Sequence, residues 1–120
     1  MLGDILITKV SERGYYAVDL DDTLAKYKGP KGNTEIGDPN IDVLGTIHYL
    51  HNLGFEIRLF TARCGFPDQI ELIEAWLKKY NLDFMIVTNV KSHGAIAIID
   101  DKAVPVKDGK IIGEIPMEFN

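Results

Sequence analysis

A chain of 120 residues with 46% hydrophobic and 26% charged residues is enough for one globular domain and too short for two ordinary ones. A net charge of −5 argues against a nucleic-acid module, which needs a basic stripe to meet phosphates. The single cysteine, Cys64, excludes an internal disulfide and a cysteine zinc site, and it fits a reducing cytoplasmic setting.

In chain order, residues 1–7 lack the basic and apolar regions of a signal peptide. No apolar run approaches the roughly 20 residues of a membrane span, so no membrane partner is expected. Residues 4–10 can form a strand, joined to the next by a turn at residues 11–14. Tyr15-Tyr16-Ala17-Val18 then runs straight into Asp19, as a buried strand ending in charge does. Residues 25–39 carry Lys26, Lys28 and Lys31 among glycines and prolines and form a flap loop. Asp38-Pro39-Asn40 leads into a helix with Val43, Leu44, Ile47 and Leu50 on its apolar face, and Gly54 stands where a helix C-terminal glycine belongs. Residues 55–60 are a second strand. Asp68 is the expected N-cap of a second helix, with Glu71 completing a capping box and Ile73, Trp76, Leu77 and Tyr80 as the buried stripe. Residues 84–87 and 95–99 are the third and fourth strands, and a hairpin about Asp108-Gly109 is expected within residues 103–113.

Strands alternating with helices imply right-handed crossovers and a parallel sheet. The expected fold is a single-domain α/β, three-layer Rossmann-like sheet with helices on both faces. In such sheets ligands gather at the carboxyl ends of the strands. Each expected strand end carries polar residues: Asp19-Leu20-Asp21-Asp22-Thr23 after the first, Thr61-Ala62-Arg63 after the second, Lys91 before the fourth and Asp100-Asp101 after it. Carboxylates gathered on one rim repel unless a cation neutralises them. Oxygen donors without histidine or thiolate favour Mg2+ over zinc. A metal, a lysine and a threonine hydroxyl can hold a phosphate dianion while one carboxylate attacks phosphorus and a second handles the proton.

The strand followed by Asp19-Leu20-Asp21-Asp22-Thr23, then Thr61, then Lys91, then Asp100-Asp101 resembles the four ordered motifs of the haloacid dehalogenase (HAD) superfamily over residues 15–104. The resemblance implies a Mg2+-dependent phosphatase working through an aspartyl-phosphate. It makes Asp19 the nucleophile and a metal ligand, and Asp21 the general acid/base with its backbone carbonyl on the metal. Thr61 and Lys91 hold the phosphoryl group, with Ala62 and Arg63 beside them. Asp100 ligates the metal, and Asp101 does so through water or orients Lys91. Thr23 supports the loop.

Only 37 residues separate Thr23 from Thr61 and 29 separate Thr61 from Lys91, so neither gap holds a cap domain. A capless member has an open site, coverable by a partner subunit of a homo-oligomer or by a large substrate. The substrate stays undecided between phosphorylated small molecules and macromolecular phosphate esters, nucleic acid entering only as a phosphorylated end. Phosphomutase activity needs an enclosed, dry site, and a catalytically inactive binding or assembly protein on the same fold is the remaining alternative. Several residues also have plainer readings. Arg63 suits a salt bridge as well as a substrate contact, Lys102 rivals Lys91, and Cys64 is expected to be a spectator. His48, His51 and His93 are expected on the surface.

Overall fold

The structure, a computed structural model, describes residues 14–27 and 34–117. The expected strand at residues 4–10, most of the turn after it, and the flap lysines Lys28 and Lys31 lie outside the described residues. The elements are β1 (Tyr15–Asp19), α1 (Ile41–Asn52), β2 (Glu56–Phe60), a short 3-10 turn (Ala62–Gly65), α2 (Pro67–Lys79), β3 (Ile86–Thr88) and β4 (Ala95–Ile99). A two-stranded hairpin follows, β5 (Val106–Lys107) with β6 (Lys110–Ile111). The first four strands form one parallel sheet in the order β3-β2-β1-β4, a Rossmann-like α/β arrangement with no cap among the described residues.

The two faces of this sheet are built differently. Side chains alternate along a strand, and Tyr16 and Val18 of β1 pair with Ile57 and Leu59 of β2, which places these four on one face. Val18, Ile57 and Leu59 are buried there with Ile47 of α1 and Ile73, Trp76 and Leu77 of α2. The chain steps from β1 to β2 to β3 in one direction, so two right-handed crossovers put α1 and α2 on the same side.

The other face is crossed by residues 89–94, which run from the carboxyl end of β3 at one edge to the start of β4 at the other. Three strand spacings amount to roughly 14 Å, which an extended chain spans at about 3.3 Å per residue and a helix of this length, at 1.5 Å, does not. Ser92 anchors the crossing. Its carbonyl accepts from the Tyr15 hydroxyl, and its own hydroxyl accepts from Arg58 Nη1 at 2.5 Å. The Arg58 guanidinium lies 3.7 Å from the Tyr15 ring centroid and pairs with Glu56 at 2.7 Å. Among the described residues, the third layer is therefore this extended crossing rather than a helix.

Local chemistry explains the element ends. Gly54 adopts a φ of 91°, and α1 closes in a Schellman arrangement, with Gly54 N–H on the His51 carbonyl at 2.9 Å and Phe55 N–H on Leu50 at 3.2 Å. Helix α2 departs from expectation at its start. Phe66 is the N-cap and Pro67 opens the helix, while Asp68 lies in the first turn and caps nothing. Proline at the first helical position has its φ preset and lacks an N–H that would be unsatisfied there anyway. The hairpin turns at Asp108 and Gly109, whose φ values of 52° and 76° suit the tight two-residue turn that matches strand twist. His51 is exposed as expected and His48 is half-buried, and both rings contact Phe84. His51 stacks on its ring at 3.6 Å, and His48 meets it edge-on at 5.7 Å.

Candidate active site

At the carboxyl end of β1 the backbone folds back on itself. Leu24 and Ala25 N–H groups return to the carbonyls of Asp19 and Leu20 at 3.2 and 2.8 Å, and Asp22 N–H reaches Ala25 at 2.8 Å. Leu20 and Leu24 are fully buried and pin the loop from below. Asp22 takes the left-handed conformation at φ 63°, which aspartate tolerates better than most residues, and its carboxylate accepts from Tyr27 N–H at 3.2 Å. The loop thus projects Asp19 and Asp21 from the strand end while its apolar residues stay in the core.

The flap arm leaves directly from this loop. Its ends are tied by Lys26 N–H to the Asp38 carbonyl at 2.9 Å and Asn40 N–H to Leu24 at 2.7 Å. Asn40 Nδ2 also donates to the Thr23 carbonyl, and the Trp76 indole donates to Gly37, each at 2.9 Å. A Cβ on Gly37 would stand 1.9 Å from the Lys26 carbonyl oxygen, so only glycine lets the two sides of the stalk approach this closely.

On the β4 side of β1, Asp19, Asp100 and Asp101 each offer a carboxylate oxygen, and these atoms all lie within 4.8 Å of one another. Asp101 is locked to the β1 loop. Its N–H donates to Thr23 Oγ1 at 3.0 Å, and that hydroxyl donates back to Asp101 Oδ1 at 3.2 Å. Asp100 Oδ1 accepts from Lys102 N–H at 2.8 Å. Burial and, next, the charge of Asp100 push the Asp19 carboxyl up to about 6. A hydrogen bond from the Leu20 backbone opposes the shift, and Asp101 and Asp21 add to it. Three hard oxygen donors with no cationic side chain paired to them among the described residues are a fitting donor set for a magnesium-type cation.

On the β2 side the arrangement is the reverse. Thr61 is buried at the end of β2, and its hydroxyl accepts from Arg63 N–H at 3.2 Å to open the 3-10 turn. Arg63 grips Asp21 with two parallel bonds, Nε to Oδ2 at 2.9 Å and Nη2 to Oδ1 at 2.8 Å. Nη1 donates to Gln69 of α2 at 3.1 Å, and Nη2 makes a longer contact to the Glu35 carbonyl of the flap arm at 3.4 Å.

The structure therefore brings together Asp19, Asp100 and Asp101, with Thr23 behind them, and Asp21 with Arg63 beside Thr61. Lys91 is exposed on the crossing segment, and among the described residues no hydrogen bond or ion pair ties it to the carboxylates. Ala62 and His93 are exposed and Cys64 is half-buried. Arg63, read from sequence as phosphate-binding or salt-bridging, is in a salt bridge here. Gln69 was missed. Its signal is a polar residue on the inward stripe of an amphipathic helix.

No protein-family profile and no curated protein matches this sequence. A solved structure, described as that of a conserved protein from Bacteroides thetaiotaomicron, matches with a TM-score of 0.61 at 20% identity, over 79% of this chain and 82% of that one. At that identity the likeness is one of fold.

Proposed function

We propose that this protein is a Mg2+-dependent phosphatase of the HAD type, cleaving phosphate monoesters through an aspartyl-phosphate on Asp19. The observation that carries the reading is the convergence of the Asp19, Asp100 and Asp101 carboxylates at the carboxyl ends of adjacent parallel strands. Its support is the place where parallel sheets gather ligands and the cost of leaving three carboxylates together without a cation. Asp19, Asp100 and Asp101 would hold the ion, which supplies charge neutralisation for the entering phosphate dianion.

In the first step an Asp19 oxygen attacks phosphorus in line, the P–O ester bond breaks, and the leaving oxygen takes a proton from Asp21. In the second, Asp21 takes a proton from water as the water oxygen attacks phosphorus. The P–O bond to Asp19 breaks, releasing inorganic phosphate and restoring the Asp19 carboxylate. Thr61 and Lys91 are assigned to the phosphoryl oxygens. Among the described residues no cap excludes water, which favours hydrolysis over phosphomutase chemistry, and a cytoplasmic setting accords with the free Cys64.

The deciding experiment is hydrolysis of p-nitrophenyl phosphate and a panel of phosphate esters with Mg2+ and with chelator. Turnover should require Mg2+ and disappear in Asp19→Asn. Activity that survives either treatment refutes the mechanism, and inactivity across the whole panel favours a binding or assembly role on the same fold.

A further inference from the structure

The geometry points to Arg63 as a positioning residue that holds Asp21 for proton transfer and couples it to the flap arm, rather than as a phosphate ligand; this rests on the phosphatase reading above. A guanidinium has five N–H donors in a rigid fork. In Arg63 two of them form the parallel pair to both Asp21 oxygens at 2.9 and 2.8 Å, a third reaches Gln69 at 3.1 Å, and a fourth points at the Glu35 carbonyl at 3.4 Å. Little of the fork is left for an anion.

The side chain is also enclosed, at 13% exposure against 31% for that of Asp21, so it belongs to the scaffold more than to the open rim. Each end of the contact is braced. The Thr61 hydroxyl fixes the start of the arginine through its backbone N–H, and buried Gln69 fixes the far side from α2. Asp21 and Arg63 are 42 residues apart in sequence, so the pair ties the carboxyl end of β1 to that of β2. The charge-assisted fork fixes the plane of the Asp21 carboxylate. Each oxygen spends one lone pair on the arginine, which leaves the other site to carry the proton that passes to the leaving group and is regained from water. The same guanidinium faces the Glu35 carbonyl, so acid/base orientation and the arm stalk share one anchor.

The experiment measures kcat and KM on p-nitrophenyl phosphate with Mg2+ for the full chain and for Arg63→Ala, Arg63→Lys, Asp21→Ala and the double variant Asp21→Ala/Arg63→Ala. Arg63→Ala should lower kcat by about 10² with KM within about twofold, the size of effect expected when a reacting group is misplaced by about 1 Å. Arg63→Lys should recover little, since an ammonium cannot make two parallel bonds. In the Asp21→Ala background, removing Arg63 should change kcat by less than about twofold, because the arginine acts through the aspartate.

The contrary result is a rise of about tenfold in KM and in the inhibition constant for inorganic phosphate, with kcat unchanged and the effect additive with Asp21→Ala. That would make Arg63 a phosphate ligand. Hydrogen exchange on the same metal-free proteins gives a readout independent of turnover. Arg63→Ala should speed exchange at the amides of Asp22, Ala25 and Lys26 and leave Leu59 in the core unchanged. No change anywhere, or acceleration that reaches Leu59, overturns the positioning role. If the unaltered protein hydrolyses no ester, the phosphatase reading falls, and the exchange contrast alone then decides whether Arg63 braces the loop and arm.

Discussion

Asp19 and Asp21 leave the same strand end two residues apart and meet opposite surroundings. On the β4 side, Asp19 faces Asp100 and Asp101, half-buried, with its carboxyl pushed up to about 6. On the β2 side, Asp21 is gripped by Arg63 through both oxygens. One side of β1 concentrates negative charge that a cation can relieve, and the other side has its cation built in. A single loop can thus present two chemically different carboxylates, because the roles are set by what the neighbouring strand ends contribute.

The comparison can be broken most severely at Asp19. Asp19→Asn should lower p-nitrophenyl phosphate turnover by about 10⁴-fold or more, since a nucleophile has no substitute in the mechanism. Asp21→Asn should cost about 10² to 10⁴, the usual range for a general acid/base, with KM little changed in steady-state kinetics. If the two substitutions cost the same on an activated ester and on an alkyl phosphate, the division of labour between the two sides fails. Asp100→Asn should raise the Mg2+ concentration for half-maximal rate by about tenfold or more, as read in a metal titration. Lys91→Ala should raise KM about tenfold, with Lys102→Ala near neutral. The opposite ranking would move the phosphate clamp to the β4 side, where Lys102 already touches Asp100 through its backbone.

The smallest expected effect is on stability, and its sign follows from the raised Asp19 value. Between the ordinary carboxylate value of 3.8 and about 6, the folded protein binds more protons at Asp19 than the unfolded chain does. The metal-free fold should therefore lose stability as pH rises through that window. Asp19 is half-buried and still reached by solvent, so screening reduces the effect to about 1 kcal/mol. Metal-free Asp19→Asn should accordingly be more stable than the unaltered protein at pH 7 by about this amount, and indistinguishable from it near pH 3.5. Urea denaturation at the two pH values measures the difference. A destabilised Asp19→Asn at pH 7 would mean that burial and the neighbouring carboxylates do not disfavour the charged form of Asp19.

The sequence by itself determined the elements and which of them end in charge. Short apolar runs stopping at Asp19 and Thr61 are strands with buried faces, and the stripe of Ile73, Trp76 and Leu77 is a helix on a sheet, whereas the apolar run stopping at Asp100 is an edge strand with residues 95–98 exposed. Gly54 and Asp108-Gly109 were legible because positive φ has few residue solutions. Asp68 does not cap because Pro67, with its φ preset, starts the helix one residue earlier and leaves Asp68 inside the first turn.

Tertiary structure alone decided who meets whom. Register places Asp19 level with Phe60, and with Arg63 three residues beyond, the arginine comes to Asp21. The order β3-β2-β1-β4 brings Asp100 to Asp19 and makes residues 89–94 span the sheet from one edge to the other. These are long-range pairings fixed by strand order and register, which depend on the whole sheet closing at once. Residue patterns within a few positions report burial and periodicity, and carry no record of the neighbour that a strand end will find.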